Sequence, residues 1–340
     1  MISKELTDMT ELSLRAKINH YKKRMREIED YLAKNPDEWG RFQSEFNAEV
    51  DNVFRDIMNF EKENIATDNE DKVYKLKRLF VNKIRKIFVR GAYTEWSLRK
   101  PYGYAGDFKI IDDIYQNDPT TTGFDRLFDN YFQMSAISTA VRNRKEDFKK
   151  QMKSFIEARR NGPIRVMDLA SGPCREIKEL LNEKDDLYTN VTFDCYDNDQ
   201  NSIDFARQSL NANPKVNFFK ENAARIAFRR DIGTLIDKKY DFIYSTGLFD
   251  YFEERMAIKL IANLKKLLNP KGMMVISDVR DKYSNPSVHF MEWVGEWELI
   301  YRDDDDFREI FVKAGFDKNT LKPLYEQQGI LQYIRVSNEC

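Results

Sequence analysis

Four short stretches in the second half of this 340-residue chain put acids, amides and small residues where a ligand could be held. The first is Asp168-Leu169-Ala170-Ser171-Gly172-Pro173-Cys174, which follows the apolar run Ile164–Met167 and opens a helical pattern at Arg175. Ala170 and Gly172 are small enough for the backbone to pass close to a ligand at the carboxyl end of a strand. Asp168 can there bond a cationic amine or order the loop. The second stretch, Tyr196-Asp197-Asn198-Asp199, places an acid 29 residues further on. One carboxylate can accept from both hydroxyls of a ribose. The third, Lys220-Glu221-Asn222-Ala223-Ala224, sets an amide before small residues. That step suits an adenine edge, because the oxygen of Asn222 can accept from an amine. The fourth, Ser245-Thr246-Gly247, leads into Leu248-Phe249-Asp250-Tyr251-Phe252. Taken alone, the first loop reads equally well as a tight strand-to-helix turn, because Ala170 and Cys174 stand where a strict glycine pattern has glycine.

The elements that must position these residues alternate. Strand-like runs at Ile164–Met167, Val191–Tyr196, Val216–Phe219, Tyr240–Tyr244 and Met273–Ser277 are separated by helical patterns at Arg175–Asn182, Gln200–Leu210 and Glu253–Leu268. This rhythm predicts an α/β domain, a Rossmann-like doubly wound, mostly parallel sheet with helices on both faces. An all-helical N-terminal domain is expected in front of it. Up to about residue 88 the chain holds a single proline, Pro36, and a single glycine, Gly40. Leu12, Leu14, Ile18, Tyr21 and Met25 fit one apolar stripe, and Phe46, Val50, Val53, Phe54 and Met58 another. Breaks are expected near Asn35-Pro36 and Thr67-Asp68-Asn69. Glycines, aromatics and turns fill 91–125, and helix resumes over Leu127–Arg160. The division expected is 1–90 helical, 91–160 lid, linker and helical segment, and 161–340 the α/β domain.

Composition narrows the function classes. A net charge of −1 leaves no footprint for nucleic acid. No run of about 18 apolar residues predicts a membrane span, and the charged N-terminus lacks the apolar stretch of a signal peptide. The expectation is a reduced, cytoplasmic protein. Cys174, Cys195 and Cys340 are odd in number and widely spaced, which suggests neither a disulfide framework nor a metal site. Lys72–Arg90 carries eight Lys or Arg and no acid. It could meet an acidic partner or a membrane surface, but a solvated face with acidic neighbours elsewhere is the favoured explanation.

In their order, DLASGPC, CYDND, FKENAA and YDFIYSTGLFDYF resemble the motif set of class I S-adenosylmethionine-dependent methyltransferases, over roughly Ile164 to Ser277. A narrower resemblance reaches across residues 90–335, carried by RKPYGYAGDF, AVRNR, GLFDYF and WELIYR. It is to bacterial methyltransferases of 3-hydroxypalmitic acid methyl ester biosynthesis in quorum sensing. The resemblance implies S-adenosylmethionine as cofactor and S-adenosylhomocysteine as product. Asp168, Ala170, Gly172, Asp197, Asn198, Asn222 and Ala223 would then meet the cofactor, with Ser245, Thr246 and Gly247 at its methionine end. It also implies a small-molecule or acyl acceptor. A carboxylate acceptor needs no general base at neutral pH, whereas an alcohol or amine would call for one such as His289 or Glu292. A homodimer is compatible with this. So are a catalytically silent S-adenosylmethionine sensor and a protein methyltransferase.

Several residues keep two readings. Pro101–Asp107, with Tyr102 and Tyr104, is a lid that excludes water or a hinge. Arg142 and Arg144 can fork onto a carboxylate, the cofactor's or the acceptor's, with Arg144 set on the cofactor side and Arg142 at the reacting end, or form surface ion pairs. Tyr251 and His289 are candidates at the reacting end, although a packed or surface histidine is as good an account of the latter. The aromatics Tyr102, Phe249, Tyr251, Phe252, Phe290 and Trp293 suit an apolar ligand cavity. His20 reads as structural. Asp303–Asp306 reads as a helix N-terminus rather than a metal site.

Overall fold

The computed structural model describes residues 2–160, 162–183 and 186–338, with side chains from Leu14 onward. Leu12 of the first expected stripe, and Cys340, lie outside the described side chains. The helical first part runs α1 (Ile2–Leu32), α2 (Gln43–Ile65), α3 (Glu70–Lys83), α4 (Ala92–Arg99), α5 (Phe108–Gln116), α6 (Gly123–Met134) and α7 (Ala136–Glu157). There follow β1 (Ile164–Leu169), α8 (Arg175–Asn182), β2 (Val191–Asp197), α9 (Gln200–Ser209), β3 (Val216–Lys220), α10 (Ala223–Phe228), β4 (Tyr240–Ser245), α11 (Glu254–Leu267) and β5 (Leu268–Val279). The chain closes with α12 (Asp304–Lys313), β6 (Lys322–Tyr325) and β7 (Leu331–Ser337).

Two compact units interleave along the chain, where the sequence suggests three consecutive segments. One comprises Met1–Gly106, Asn117–Thr139 and Asn285–Glu298; the other comprises Asp107–Gln116, Ala140–Ser284 and Leu299–Cys340.

In the first unit the α1 stripe is buried from Leu14 through Ile18, Tyr21 and Met25 to Leu32. The α2 stripe buries Phe46, Val50, Val53, Phe54 and Ile57, so Ile57 takes the place expected for Met58. Rings of Phe54, Phe80 and Phe88 pack together, with Phe290 on Phe54 and Trp293 on Phe80. Three of the eight cations of 72–90 pair with acids inside the same unit. Lys77 pairs with Glu298 and Arg85 with Glu296, while Arg90 meets Glu29 at 2.5 Å and Asp125 at 2.7 Å. This segment is therefore a face with acidic neighbours, helical as far as Lys83.

The second unit is built on a seven-stranded sheet of order β3-β2-β1-β4-β5-β7-β6. The pairs β1·β2, β1·β4, β2·β3 and β4·β5 are parallel, and β7 runs antiparallel to β5 and β6. Strand order reverses at β1 and β4, so a crevice opens at their carboxyl ends, the usual ligand position in such sheets. β1 and β4 are buried along nearly their whole length, as central parallel strands of such a sheet are.

Three expectations are corrected. Leu127–Arg160 is not one helix: Ser135 turns extended, and its hydroxyl takes the Ser138 N–H at 3.3 Å, starting α7 afresh. The turn-rich 91–125 contains α4, α5 and the start of α6, whose short apolar faces escape a long-window pattern. The fifth strand begins at Leu268, not Met273, and a bulge between two pairings with β4 absorbs Asn269–Gly272. A Cβ on Gly272 would lie 2.9 Å from the Asn269 carbonyl oxygen and 3.1 Å from that of Tyr240, so only glycine fits.

Candidate functional site: the cleft at the ends of β1, β2 and β4

The loop after β1 has a regular backbone. Ala170, Gly172 and Cys174 all take left-handed φ, at 57°, 53° and 50°. Nothing lies within 4 Å of a Cβ built on Gly172, so conformation rather than space calls for glycine there. Bonds to β2 and α9 hold the loop. Ser171 N donates to Tyr196 O at 3.1 Å, and Gly172 N to Asp197 Oδ2 at 2.9 Å. Ser202 Oγ donates to Gly172 O at 3.0 Å and lies 3.2 Å from Asp197 Oδ2. Asp197 Oδ1 accepts from Asp199 N at 2.9 Å. A carboxylate offers about four lone-pair sites. Two accept from backbone N–H groups and the Ser202 hydroxyl lies against a third, which leaves one unobstructed where the ribose reading expected two.

Asp168 ends up 1% exposed, and its Oδ2 accepts no hydrogen bond. Burial first, then the nearby Glu176 carboxyl, push its pKa well above the usual carboxylate range, with the Tyr244 hydroxyl opposing. Burial likewise raises Glu176, whose Oε1 lies 3.4 Å from the Tyr244 hydroxyl, and raises Asp197. On α7, Arg144 is buried with its Nε lacking a partner. Its guanidinium lies against Gly247, where an added Cβ would come within 3.2 Å of Nη1. Burial pushes the Tyr115 hydroxyl up to about 12 against the pull of Arg144.

The amide of Asn222 caps α10: its Oδ1 accepts from Ala224 N at 2.7 Å and keeps a second lone pair. Its Nδ2 donates to Asn198 Oδ1 at 3.3 Å, so these two exposed candidates meet, with Ala223 buried beside them in sequence. Ser245 is fully buried and donates to Leu169 O at 2.8 Å, which ties β4 to β1. Its hydroxyl is a strut of the cleft rather than a free donor toward it. Thr246 is buried. Arg142 is half-buried, 3.5 Å from Ile114 O, and burial works against its charge.

Other candidates fall elsewhere. Tyr251 stays in the second unit, exposed on the turn Phe249–Tyr251. Tyr102 and Tyr104 belong to the first unit and are exposed. His289 is fully buried in the first unit, its Nε2 3.1 Å from Glu61 Oε2. The expected aromatic cavity is corrected: Phe249 packs in the core of the second unit, and Phe290 and Trp293 pack in that of the first. Large aromatics near a motif were core, the commoner role for such residues. Asp303 caps α12 by accepting from Asp306 N at 2.8 Å, so the acidic run is a helix start. His20 is a surface residue, 3.4 Å from Glu49.

Sequence reasoning missed Glu176, Tyr115 and a buried clamp behind the post-β4 turn. Arg302 Nη1 meets both Asp278 oxygens at 3.1 and 3.2 Å and donates to Phe249 O at 3.0 Å. Asp250 Oδ1 accepts from Val279 N at 2.7 Å. The available signal was Asp278, an acid near the carboxyl end of a strand, like Asp168 and Asp197.

A cofactor with an α-amino-acid end and a nucleoside end suits this donor set. An unpartnered carboxylate oxygen complements an ammonium, an unpartnered guanidinium N–H complements a carboxylate, and Asp197 retains one acceptor site.

The fold and cleft define an α/β domain of the Rossmann-like type. A family model described as "Methyltransferase domain" matches residues 140–321, and the chain belongs to that family. Its cofactor is S-adenosylmethionine. No curated protein matches the chain. Among solved structures, a "possible exported protein" from Bordetella parapertussis is similar, with 16% identity, 69% of this chain and 80% of that one covered, and a TM-score of 0.55. Magnesium protoporphyrin IX methyltransferase from Synechocystis PCC 6803 is 11% identical over 75% of this chain and 99% of that one, with a TM-score of 0.47. The first likeness is evidence of fold. Among the described residues, no helix is long and apolar enough to cross a membrane.

Proposed function

We propose that the second unit transfers a methyl group from S-adenosylmethionine to a small, largely apolar acceptor presenting a carboxylate or hydroxyl. The observation that carries the acceptor class is Arg142, a half-buried cation on the helix that also supplies Arg144. A partly desolvated guanidinium can fork onto a carboxylate. The near-neutral chain offers no general attraction for phosphate backbones. The resemblance to methyltransferases of 3-hydroxypalmitic acid methyl ester biosynthesis makes a fatty-acid-like carboxylate the first acceptor to try.

The cofactor supplies a methyl already activated on a sulfonium, so alignment and exclusion of water are the main tasks left to the protein. Asp168 would accept from its ammonium, Arg144 donate to its carboxylate, and Asp197 accept from a ribose hydroxyl. Asn222 would offer its remaining oxygen lone pair to the adenine amine. Arg302 and Asp278 hold the turn that bears Tyr251, the candidate wall on the acceptor side. A carboxylate acceptor is ionised at neutral pH and needs no base.

The test is a metabolite extract incubated with the protein and methyl-labelled cofactor. Label should enter a small acid or alcohol. Arg142→Lys should raise KM for that acceptor while leaving S-adenosylhomocysteine affinity nearly unchanged, because charge stays but the fork is lost. Label in RNA, DNA or protein alone, or cofactor binding with no transfer, refutes the reading.

A further inference from the structure

Beneath the loop that follows β1, the fold gathers three ligand atoms that the sequence keeps apart. An Asp168 carboxylate oxygen and the sulfurs of Cys174 and Cys195 all lie within 4.8 Å of one another. Register explains the meeting. Cys195 stands opposite Asp168 in the parallel pairing of β1 with β2. Cys174 comes at the end of the loop, where its left-handed φ of 50° starts α8. Asp168 is 1% exposed, and both cysteines, which are free thiols, are fully buried. Asp168 Oδ2 accepts no hydrogen bond, and a buried acceptor left that way is costly. A buried carboxyl gathered with two thiols has a chemical complement, which is a cation that prefers sulfur.

We propose that Asp168, Cys174 and Cys195 form a binding site for a thiophilic divalent cation of the zinc class, and that its occupation opposes cofactor binding by capturing Asp168. The second clause rests on the reading that Asp168 receives the cofactor's ammonium; the first does not. Binding changes no oxidation state. Each thiol passes its proton to solvent, as does the Asp168 carboxyl when protonated, the two thiolates and the carboxylate each donate an electron pair to the ion, and affinity therefore rises with pH. Bonds of about 2.3 Å to sulfur and about 2.0–2.2 Å to oxygen put tetrahedral ligand atoms under about 4 Å apart. The three groups need to close by only about 1 Å to reach that geometry. Three protein ligands leave a fourth position for water, and thiolates select zinc over magnesium or calcium. Ala170 and Gly172, partly exposed in the loop between Asp168 and Cys174, belong to the stretch that must shift to admit the ion.

The experiment titrates the reduced, full-length protein with Co2+, a spectroscopically visible stand-in for zinc, and follows the thiolate-to-metal charge-transfer band. A band saturating at one equivalent, displaced by Zn2+ and lost in Cys195→Val, is expected. Circular dichroism and S-adenosylhomocysteine affinity of that variant should match the wild type, which shows that the lost band reflects a lost ligand. No band, or a band that persists in Cys195→Val, overturns the site. Excess S-adenosylhomocysteine should weaken cobalt binding roughly tenfold or more, and cobalt should weaken S-adenosylhomocysteine binding by the same factor. A cobalt midpoint unmoved by S-adenosylhomocysteine overturns the antagonism. Calorimetry of S-adenosylhomocysteine with the metal-free protein reports on the cofactor site separately, so failure of the antagonism and failure of the cofactor reading are told apart.

Discussion

Replacing Asp168 with asparagine should make the cofactor-free protein more stable and the cofactor complex weaker. The wild-type carboxyl is 1% exposed, has an unpartnered oxygen, and is held well above the usual carboxylate range by burial and by Glu176. Its folded pKa therefore exceeds its unfolded value, so the folded state keeps a proton that the unfolded chain releases. Linkage fixes the sign: as pH rises from the unfolded pKa of about 3.9 toward the folded one, stability falls by about 1.4 kcal/mol per pH unit. The Asp168→Asn variant lacks that slope, so the two proteins should be nearly matched at the acidic end and diverge above it. For a domain of this size each kcal/mol moves Tm by roughly 2–4 °C. The same substitution removes a charge-assisted bond to the cofactor ammonium worth about 1.5–3 kcal/mol, a loss of about 10- to 150-fold in affinity. The assay is scanning calorimetry from acidic to neutral pH without ligand, then titration calorimetry with S-adenosylhomocysteine. A variant less stable than wild type at every pH would show that the native carboxyl is well satisfied. Unchanged affinity would remove Asp168 from the cofactor site.

Three further substitutions probe the same cleft. Ala170→Gly should raise stability by about 0.5–1 kcal/mol in chemical denaturation, because relief of a left-handed alanine outweighs the entropy of a glycine; a loss instead would mean the methyl packs usefully. Asp197→Ala strips the partner from Gly172 N and Asp199 N, so both the melting temperature and S-adenosylhomocysteine affinity should fall, the latter by about tenfold for one charged bond. A melting temperature equal to the wild type's would mean that those bonds do not secure the loop. Arg144→Lys should weaken S-adenosylhomocysteine binding while leaving acceptor KM at saturating cofactor nearly unchanged; the reverse pattern would move Arg144 to the acceptor side.

Much of this architecture was legible because parallel strands covered on both faces write themselves as short apolar runs. Strands β1 to β4 begin at the expected residues, and each ends one or two residues later than its apolar run, on the residue at its tip. Helix α8 has the bounds that the pattern suggested. What was not legible depends on tertiary packing. The aromatics Phe290 and Trp293 looked like pocket walls beside a candidate base, but Asn285–Glu298 joins the helical unit, and only long-range packing decides that. The meeting of Cys174 with Cys195 depends on strand register, which a spacing of 21 residues does not reveal. The break at Ser135 is a single cap inside an otherwise helical run, too local for periodicity to register.

The loop after β1 shows why residue type was a poor guide there. Lacking glycine at Ala170 and Cys174, the sequence departs from a strict glycine pattern, yet all three alternate positions hold the left-handed backbone that such a pattern exists to permit. Two L-residues in that region cost about 1–2 kcal/mol each. Such a conformation persists only where the surroundings over-determine it. Here Tyr196 O, Asp197 Oδ2 and Ser202 Oγ each hold a backbone group of Ser171 or Gly172. Those bonds explain a second departure from expectation, since the lone pairs with which Asp197 fixes the loop are withdrawn from the ribose. The acid at the end of the second strand thus acts first on its own backbone. On the proposed reading the ligand-binding share of the work shifts to Asp168 and Arg144, each of which has a buried polar atom without a hydrogen-bond partner.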